Sequence, residues 1–289
     1  MSDLLQLVFS GLAQGAVYGL VALGFVAVFA VREIVNLAQG EYSALAGLSA
    51  ISAVAAGVPL LLAIVVVVPM VLVVSVVIER LCIAPVRRMT PLVSIILTLG
   101  ISTALKALML VIWGPQARGL PAFPGRDVVL AGVSIRSQEL WILGVAAVVG
   151  AAVVWAYENT LLGKAMRACA EQPIAARLVG ISPRTATMIS FGVAGFVGAV
   201  AGVIGSPIYF SSWEYGLALG LKGFVAATLG GLVSLRVAMV GGLVLGVLEN
   251  LVAGYIDTGY RDAVAFLVLL LVLLVRPQGL MFKAPAVRV

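Results

Sequence analysis

The chain has 289 residues, of which 63% are hydrophobic and only 10% are charged, and its formal net charge is +6. An ordinary soluble domain carries about 25% charged residues and could not bury so much apolar surface in one core, so the composition excludes a soluble protein and predicts one transmembrane domain over residues 1–289. The chain has no histidine and only two cysteines, Cys82 and Cys169, which excludes histidine-dependent catalysis and argues against a metal or redox centre.

Apolar stretches of about 20 residues, separated by charged residues and by Pro/Gly clusters, predict an all-α polytopic membrane protein with eight to nine transmembrane helices. The segments 42–57 and 219–234 are short for a full crossing, so each is open to being a half-helix that enters the membrane and stops. The nine predicted spans are 11–31, 42–57, 60–79, 92–112, 139–157, 186–206, 219–234, 237–256 and 262–275.

Basic residues predict the orientation of these spans, because cytoplasmic loops carry an excess of Lys and Arg. If the loop after the fifth span is cytoplasmic, that side holds Arg32, Arg80, Arg87, Arg88, Lys164, Arg167, Arg177, Arg184, Arg236, Arg276, Lys283 and Arg288, and the outer side holds only Arg118, Arg126, Arg136 and Arg261. The N-terminus is therefore predicted outside, and the C-terminus, Cys82 and Cys169 inside, with both thiols unbridged. Topology and anionic membrane lipid account for the positive charge, so no nucleic-acid partner is expected.

Two segments outside the spans have a distinct composition. Residues 113–138 contain three prolines and several glycines and are typical of an irregular external loop or short hairpin, which is either a docking surface or a simple connector. In the second segment, residues 158–184, Pro173 suits a first helical position, Gly180 suits the residue after a helix, and Pro183 blocks continuation. This pattern predicts a cytoplasmic two-turn helix over residues 173–179.

Glycines inside the spans recur at intervals that favour close helix packing, as at Gly11, Gly15 and Gly19 and again at Gly242 and Gly246. Lys222 and Glu249 are polar residues at membrane depth, where charges are usually retained for a cavity or relay. Lys222 lies between Gly220 and Gly223.

A second polar run covers residues 36–41, and both runs predict broken helices. The long spans before them begin on opposite sides of the membrane, which predicts an inverted repeat with the two breaks facing each other along a transport route. The alternative is that Lys222 and Glu41 reach to a membrane interface. For Lys106, packing or interfacial contact is the favoured interpretation.

Several segments in order resemble the permease subunits of branched-chain amino-acid ABC importers of the LivH type, a group that also serves urea, amides and related solutes. The resembling segments are residues 36–41, 162–171 and 222–231, and residues 260–262 with 276–280. The resemblance implies a bacterial inner-membrane permease that pairs with a second related permease, two cytoplasmic ATPases and a periplasmic solute-binding protein. No phosphate-binding loop occurs in the chain, so ATP is expected on the ATPase subunits and no cofactor on this one.

The resemblance also implies two sets of site residues. The substrate pathway would include Asn36, Gln39, Glu41, Lys222 and Thr228, and the contact that couples the permease to the ATPase would include Gly163, Arg167, Glu171, Ile174, Ala175, Ala176, Leu178 and Gly180. Ala175, Ala176 and Gly180 match the Ala-Ala-x3-Gly core of the ABC coupling motif, with Ile174 and Leu178 as apolar anchors. Ile174 stands where the general motif has Glu, and Gln39 stands where the family often has His.

Leucine, isoleucine and valine are the leading substrates by this resemblance, with other amino acids, amides, urea and aromatic acids left open. An ion-coupled secondary transporter is the alternative, because an inverted repeat with intramembrane Lys and Glu would equally suit ion coupling. A membrane enzyme is a distant third, since no nucleophile stands beside a base.

Overall fold

The structure is a computed structural model that describes residues 2–86, 89–130 and 133–275. Arg87 and Arg88 lie outside the described residues. So do residues 276–289, which include the predicted cytoplasmic residues Arg276, Lys283 and Arg288, the C-terminus and the last resembling segment, 276–280.

Eleven α-helices and one small hairpin make up the described residues, which confirms the predicted all-α polytopic membrane fold. A π-helical turn extends α3 over Glu79–Ile83, and a 3-10 turn at Thr258–Tyr260 precedes α11. In chain order the elements are α1 (Ser2–Arg32), α2 (Gln39–Ala55), α3 (Leu60–Ile78), α4 (Pro91–Trp113), β1 (Val128–Leu130), β2 (Val133–Ile135), α5 (Ser137–Asn159), α6 (Leu161–Glu171), α7 (Pro173–Leu178), α8 (Pro183–Tyr209), α9 (Tyr215–Leu229), α10 (Leu235–Tyr255) and α11 (Arg261–Val275).

Within the described residues, seven helices are long and apolar enough to cross a membrane: α1, α3, α4, α5, α8, α10 and α11. The two short helices in the apolar part of the chain are α2, with 17 residues, and α9, with 15. They fall on the two segments left open as half-helices, but they begin three and four residues earlier than the sequence predicted. The segment 113–138 does contain a short hairpin, in which β1 and β2 pair antiparallel.

Local sequence explains where several of these helices begin. In α4 and α8 a proline occupies the first helical position, where its missing N–H is not needed. The preceding Thr90 and Ser182 side chains accept hydrogen bonds from Val93 N and Thr185 N, at 3.3 Å and 3.4 Å. Every helix leaves backbone N–H groups without a partner at its start, and in each of these two helices one of them is satisfied in this way.

Helix α1 lies at the centre of the molecule and packs closely along α10 through the predicted glycines. A Cβ atom added to Gly15 would lie 2.5 Å from the carbonyl oxygen of Gly242, and one added to Gly11 would lie 2.8 Å from Cα of Val247. No side chain larger than hydrogen fits at such distances, so these glycines let the two backbones touch.

The two ends of the bundle differ, and their contacts show which way each helix runs. At one end, Val31 of α1 packs with Met166 and Cys169 of α6 and Ala176 of α7, and we call this the α6–α7 end. At the other end, which we call the hairpin end, Ser10 of α1 donates a hydrogen bond to Glu139 of α5, which follows the hairpin. The apolar outer faces of α3, α4, α5 and α11 are exposed, as expected of helices that contact lipid.

Candidate functional site

The long helices α1 and α8 both end in the same unusual way before a short helix begins. Glu33 and Phe210, the first residues after them, each have a φ of 55°, which few residues other than glycine adopt. Short linkers then lead into α2 and α9. We call residues 33–43 the first junction and residues 210–222 the second junction. This shared construction is what the predicted inverted repeat requires.

The two short helices meet at their N-terminal ends in the interior. Gly40 of α2 lies against the carbonyl of Gly216 and against Gly220 of α9, where an added Cβ on Gly220 would be 3.3 Å from Cα of Gly40. From this contact α2 runs towards the hairpin end, where Gly47 lies beside Ser206. Helix α9 runs the other way, with Phe224 against Phe25 of α1 at 5.7 Å between ring centroids. Two positive helix ends therefore converge at mid-bundle.

The predicted break at Gly220–Gly223 is wrong, because α9 is continuous from Tyr215 to Leu229. The chain is broken earlier, at residues 210–214, and the glycines serve close packing, since Gly223 lies against Val21. The polar run at 36–41 is only partly a break. Residues 36–38 lie before the helix, and residues 39–41 form the first turn of α2.

Glu41 is buried where the two helix ends converge. It is the third residue of α2, its side chain lies against Gly216, and its Oε1 accepts a hydrogen bond from Ser102 of α4 at 2.8 Å. Among the described residues, its Oε2 has no hydrogen-bond partner. Because Glu41 lies in the first turn of α2, the positive end of that helix favours a negative charge at this position.

Other polar groups of the first junction are also buried. Asn36 accepts a hydrogen bond from Ala38 N at 3.3 Å, and the Gln39 amide donates to the carbonyl of Ala194 in α8 at 2.9 Å. Thr98 of α4 contacts the linker by donating to the carbonyl of Val35 at 3.0 Å. In the described structure Asn36 Nδ2 and Gln39 Oε1 remain without a partner, and such atoms normally bind protein groups or water.

The second junction holds Lys222 in ion pairs. Its Nζ lies 3.1 Å from Glu249 Oε2 on α10 and 2.9 Å from Asp262 Oδ1 on α11. The same Nζ lies 5.5 Å from the ring centroid of Tyr18 on α1. Tyr18 also donates a hydrogen bond to Glu249 at 2.8 Å. Charged side chains of α9, α10 and α11 are therefore paired next to α1.

This polar cluster continues along α1 and α10. Gln14 donates to Glu249 at 3.3 Å and accepts from Asn250 at 2.7 Å, while Arg261 donates to Asn250 at 3.2 Å. Sequence reasoning singled out Lys222 and Glu249 but missed Gln14, Tyr18, Asn250 and Asp262. A usable signal was present, because charges at membrane depth normally require polar partners on other helices.

A cavity of about 170 Å³ lies beside Lys222, on the side facing α1. A smaller cavity of about 90 Å³ lies on the side facing α11 and is bordered by Asp262. Lys222 lines both, so it stands between them. The residues lining the larger cavity are Gln14, Val17, Tyr18, Tyr209, Tyr215, Ala218, Leu219 and Lys222.

The predicted pathway residues do not share one cavity. Gly216 and Gly220 turn one face of α9 towards Glu41, whereas Lys222, two residues after Gly220, lies about 200° around the helix axis and faces α1 and α10. Thr228 is buried, and its hydroxyl donates to the carbonyl of Val225 in its own helix at 2.7 Å. The structure therefore brings Asn36, Gln39 and Glu41 together and places Lys222 and Thr228 elsewhere.

Helix α6 is anchored to the end of α5. Thr160 accepts a hydrogen bond from Gly163 N at 3.2 Å, and Gly163 packs directly on the backbone of Tyr157. Arg167 donates to the carbonyl of Glu158 at 2.9 Å. These contacts fix α6 against the bundle, while Glu171 at its end is exposed and lines a groove of about 680 Å³.

Helix α7 matches the predicted two-turn helix to within one residue, and Gly180 follows it with a φ of +84° that favours glycine. Ile174, Ala175 and Leu178 are exposed, Leu178 to 84%. Ala176 is only 3% exposed, because it packs into the chain's own core. The expectation that Ala176 faces a groove on an ATPase is therefore wrong.

Cys169 belongs to the same small core as Ala176, and burial raises the pKa of its thiol. Cys82 lies in the π-helical turn after α3, and in the described structure both cysteines are free thiols. Within the described ranges, no three His, Cys, Asp or Glu side chains are grouped to bind a metal ion.

Comparison with known proteins identifies the family. The model of the branched-chain amino acid transport system / permease component family matches residues 7–273. The chain belongs to this permease family. The high-affinity branched-chain amino acid transport system permease proteins LivH of Salmonella typhimurium and of Escherichia coli K12 are both 32% identical over 96% of this chain and 95% of their own length. BraD of Pseudomonas aeruginosa, a permease protein with the same description, is 31% identical over 96% of this chain and 95% of its own.

A solved structure, PsaBC from Streptococcus pneumoniae in complex with Fab, has the same fold with a TM-score of 0.52. It is 12% identical and covers 93% of this chain and 91% of its own, so the likeness concerns the fold alone. Membership of the permease family makes this chain a membrane-embedded component of a transport system, and not an enzyme. Permeases of ABC importers work with separate ATPase and binding-protein components.

Proposed function

We propose that this chain forms half of the translocation pathway of an ATP-driven importer for branched-chain amino acids. A second, related permease supplies the other half, two ATPases bind on the cytoplasmic side, and a periplasmic binding protein delivers the solute. The observation that carries the proposal is the meeting of two half-helices inside a membrane bundle. Transporters use such discontinuous helices to bring free backbone groups and positive helix ends to a solute route.

In this proposal the first junction lines the route where it is narrowest. Asn36, Gln39 and Glu41 carry buried polar atoms that find no partner among the described residues. Water or solute would supply those partners when the bundle opens. In this proposal Lys222 also lines the route, on the face of α9 that points away from Glu41. Thr228 stays a prediction, because in this conformation its hydroxyl is bound within its own helix.

The α6–α7 end is the cytoplasmic end in this proposal, and residues 158–184 are the coupling loop. The exposed face of α7, with Ile174, Ala175 and Leu178, inserts into a groove on the ATPase. Gly163, Arg167 and Ala176 hold the loop in place, Gly180 ends the helix, and Glu171 faces the ATPase surface. The N-terminus and the 113–138 loop then lie outside.

Reconstitution tests the energy source. The chain, co-expressed with its partner permease and ATPases and placed in vesicles, should take up leucine only when ATP and the binding protein are both supplied. Uptake driven by an ion gradient in vesicles that contain this chain alone would instead support the ion-coupled transporter, for which the intramembrane Lys222–Glu249 pair would be the coupling site.

The coupling face is tested by comparing two exposed leucines. Leu178→Asp should remove an apolar anchor, weaken ATPase binding by about 2 kcal/mol and release ATPase subunits during purification. Leu161→Asp, at the start of α6, is equally exposed but lies away from α7 and should retain them. Normal ATPase retention and uptake in Leu178→Asp would exclude α7 from the contact.

A further inference from the structure

The cavity beside Lys222 combines one cation, neutral polar groups and an apolar wall. Lys222 offers a charged hydrogen-bond donor, and the Gln14 amide and the Tyr18 hydroxyl, which donate to Glu249, add neutral polar surface. Val17, Leu219, Tyr209 and Tyr215 supply the apolar and aromatic surface. Small-molecule sites are typically built in this way, with a few polar groups that fix orientation in a mostly apolar pocket.

The two carboxylates that pair with Lys222 differ in burial. Glu249 is 0% exposed and also accepts hydrogen bonds from Tyr18 and Gln14, so removing Lys222 from it would leave a buried charge. The Asp262 side chain is 73% exposed, so releasing it from Lys222 would not leave a buried carboxylate unpaired. Lys222 therefore has one fixed partner and one exchangeable partner.

We propose that this cavity is a transit site for an apolar amino acid, in which the carboxylate of the solute replaces Asp262 on Lys222. The inference rests on the proposed import function and adds the chemical group that the permease itself recognises. The exchange keeps the charge of Lys222 balanced before, during and after passage, because Asp262 returns when the solute leaves. No bond is made or broken other than hydrogen bonds and ion pairs.

The rest of the cavity fits the other part of such a solute. A volume of about 170 Å³ bordered by Val17, Leu219 and two tyrosines suits a short branched hydrocarbon side chain. Ala218 is exposed at the edge of the cavity on α9, so the site is reachable from outside the chain. A transport site must bind well enough to admit the solute and weakly enough to release it, and an exchangeable ion pair meets both needs.

A cysteine at the edge of the cavity reports occupancy directly. In a background with Cys82→Ser and Cys169→Ser, Ala218→Cys is labelled with a small charged thiol reagent in the complete permease–ATPase complex without binding protein. Leucine should slow labelling, about threefold when its concentration is about twice its dissociation constant. Leucinamide, which has the same side chain but lacks the carboxylate, should protect at much higher concentration only.

Substitutions test whether the protection by leucine depends on the ion pair with Lys222. Lys222→Met should abolish protection by leucine, and Asp262→Asn should give protection at lower leucine concentration, because the competing carboxylate is gone. The double variant Lys222→Met/Glu249→Gln should also lose protection, without leaving a buried carboxylate unpaired. Lys106→Met is the matched control, since Lys106 lies over the Trp213 ring at 5.5 Å and does not line the cavity. Leucine should protect this variant as well as it protects the parent.

Transport by the same vesicles separates this inference from the function it rests on. Lys222→Met should lower the maximal rate of leucine uptake about tenfold, which is what one charge-assisted hydrogen bond is worth, with little change in KM, because the binding protein sets KM. Labelling that leucine does not slow, or equal protection by leucine and leucinamide, in a complex that still imports leucine would overturn the transit site alone. An assembled parent complex that fails to import any branched-chain amino acid would contradict the proposed function instead.

Discussion

The first junction, at residues 33–43, and the second junction, at residues 210–222, interrupt antiparallel long helices with the same backbone turn but treat charge differently. Glu41 in the first junction is buried against glycine and has one hydrogen bond, from Ser102. Lys222 in the second junction is shared between two carboxylates and borders two cavities. The comparison shows that one repeated backbone design holds a buried carboxylate with an unpartnered oxygen in one half and an ion-paired lysine in the other.

The largest expected effect comes from filling the contact between the two junctions. Gly40→Ala would place a methyl group against the Gly216 carbonyl and 2.6 Å from Gly220 N, so the two half-helices must separate. We expect a loss of about 3 kcal/mol in stability and poor assembly. Thermal unfolding of the purified complex and its subunit composition measure this.

Gly100→Ala is the matched control for that change. In the described structure a methyl group added at Gly100, in the exposed part of α4, meets open space, so the variant should be as stable as the parent or slightly more stable. Equal unfolding temperatures for Gly40→Ala and the parent would mean that the junctions do not touch in the protein.

The second expected effect tests whether burial decides the strength of the Lys222 pairs. Glu249→Gln removes the fully buried carboxylate that binds Lys222, Tyr18 and Gln14, and should lower stability by about 2 kcal/mol. Asp262→Asn removes the exposed partner and should change stability by less than about 1 kcal/mol. Thermal unfolding of both variants is the measurement, and similar losses in the two would contradict the distinction between a fixed and an exchangeable partner.

The third prediction concerns Glu41. Glu41→Gln keeps an oxygen that accepts from Ser102 but removes the charge between two positive helix ends, so stability should change by only about 1 kcal/mol. Uptake should fall several-fold if this residue lines the route. Ser102→Ala controls for the hydrogen bond alone, and unchanged uptake kinetics in Glu41→Gln would leave the first junction as a purely structural contact.

The smallest expected effect tests the orientation of the chain in the membrane. Cys82 and Cys169 should react with a maleimide only from the cytoplasmic side, because both lie in segments predicted to face it. Cys169 should react more slowly than Cys82, since burial raises its thiol pKa and the thiolate is the reactive form, and its labelling should accelerate as pH rises above the ordinary thiol range. Labelling of either thiol by an impermeant maleimide applied outside intact cells would reverse the proposed topology.

Much of the architecture could be read from the sequence because the signals are local. Runs of apolar residues located the seven long helices, and Pro173 and Gly180 located α7 to within one residue. The glycine spacing in α1 and α10 predicted a close packing that the structure has. Two segments short for a full crossing, each left open as a half-helix, correspond to α2 and α9.

The errors arose where one residue type has two uses. The glycines at 220 and 223 were interpreted as a place where a helix opens, but they allow backbone contact with Gly40 and with α1. The actual break at residues 210–214 has a positive φ at Phe210, a residue that gives no such signal. Ala176 was assigned to a docking face by its motif, although a helix of six residues has an inner and an outer side that the motif does not distinguish.

By itself, the sequence determined that the chain is a membrane-embedded helical permease, because hydropathy, helix start and stop residues and family motifs are properties of consecutive residues. Only the tertiary structure decided which groups meet. Lys222 joins Glu249 and Asp262 and not Glu41, because its direction depends on the rotation of α9 against α1, α2 and α10. That rotation is fixed by close contacts between residues far apart in the chain, such as Gly40 with Gly220, and no local pattern encodes it.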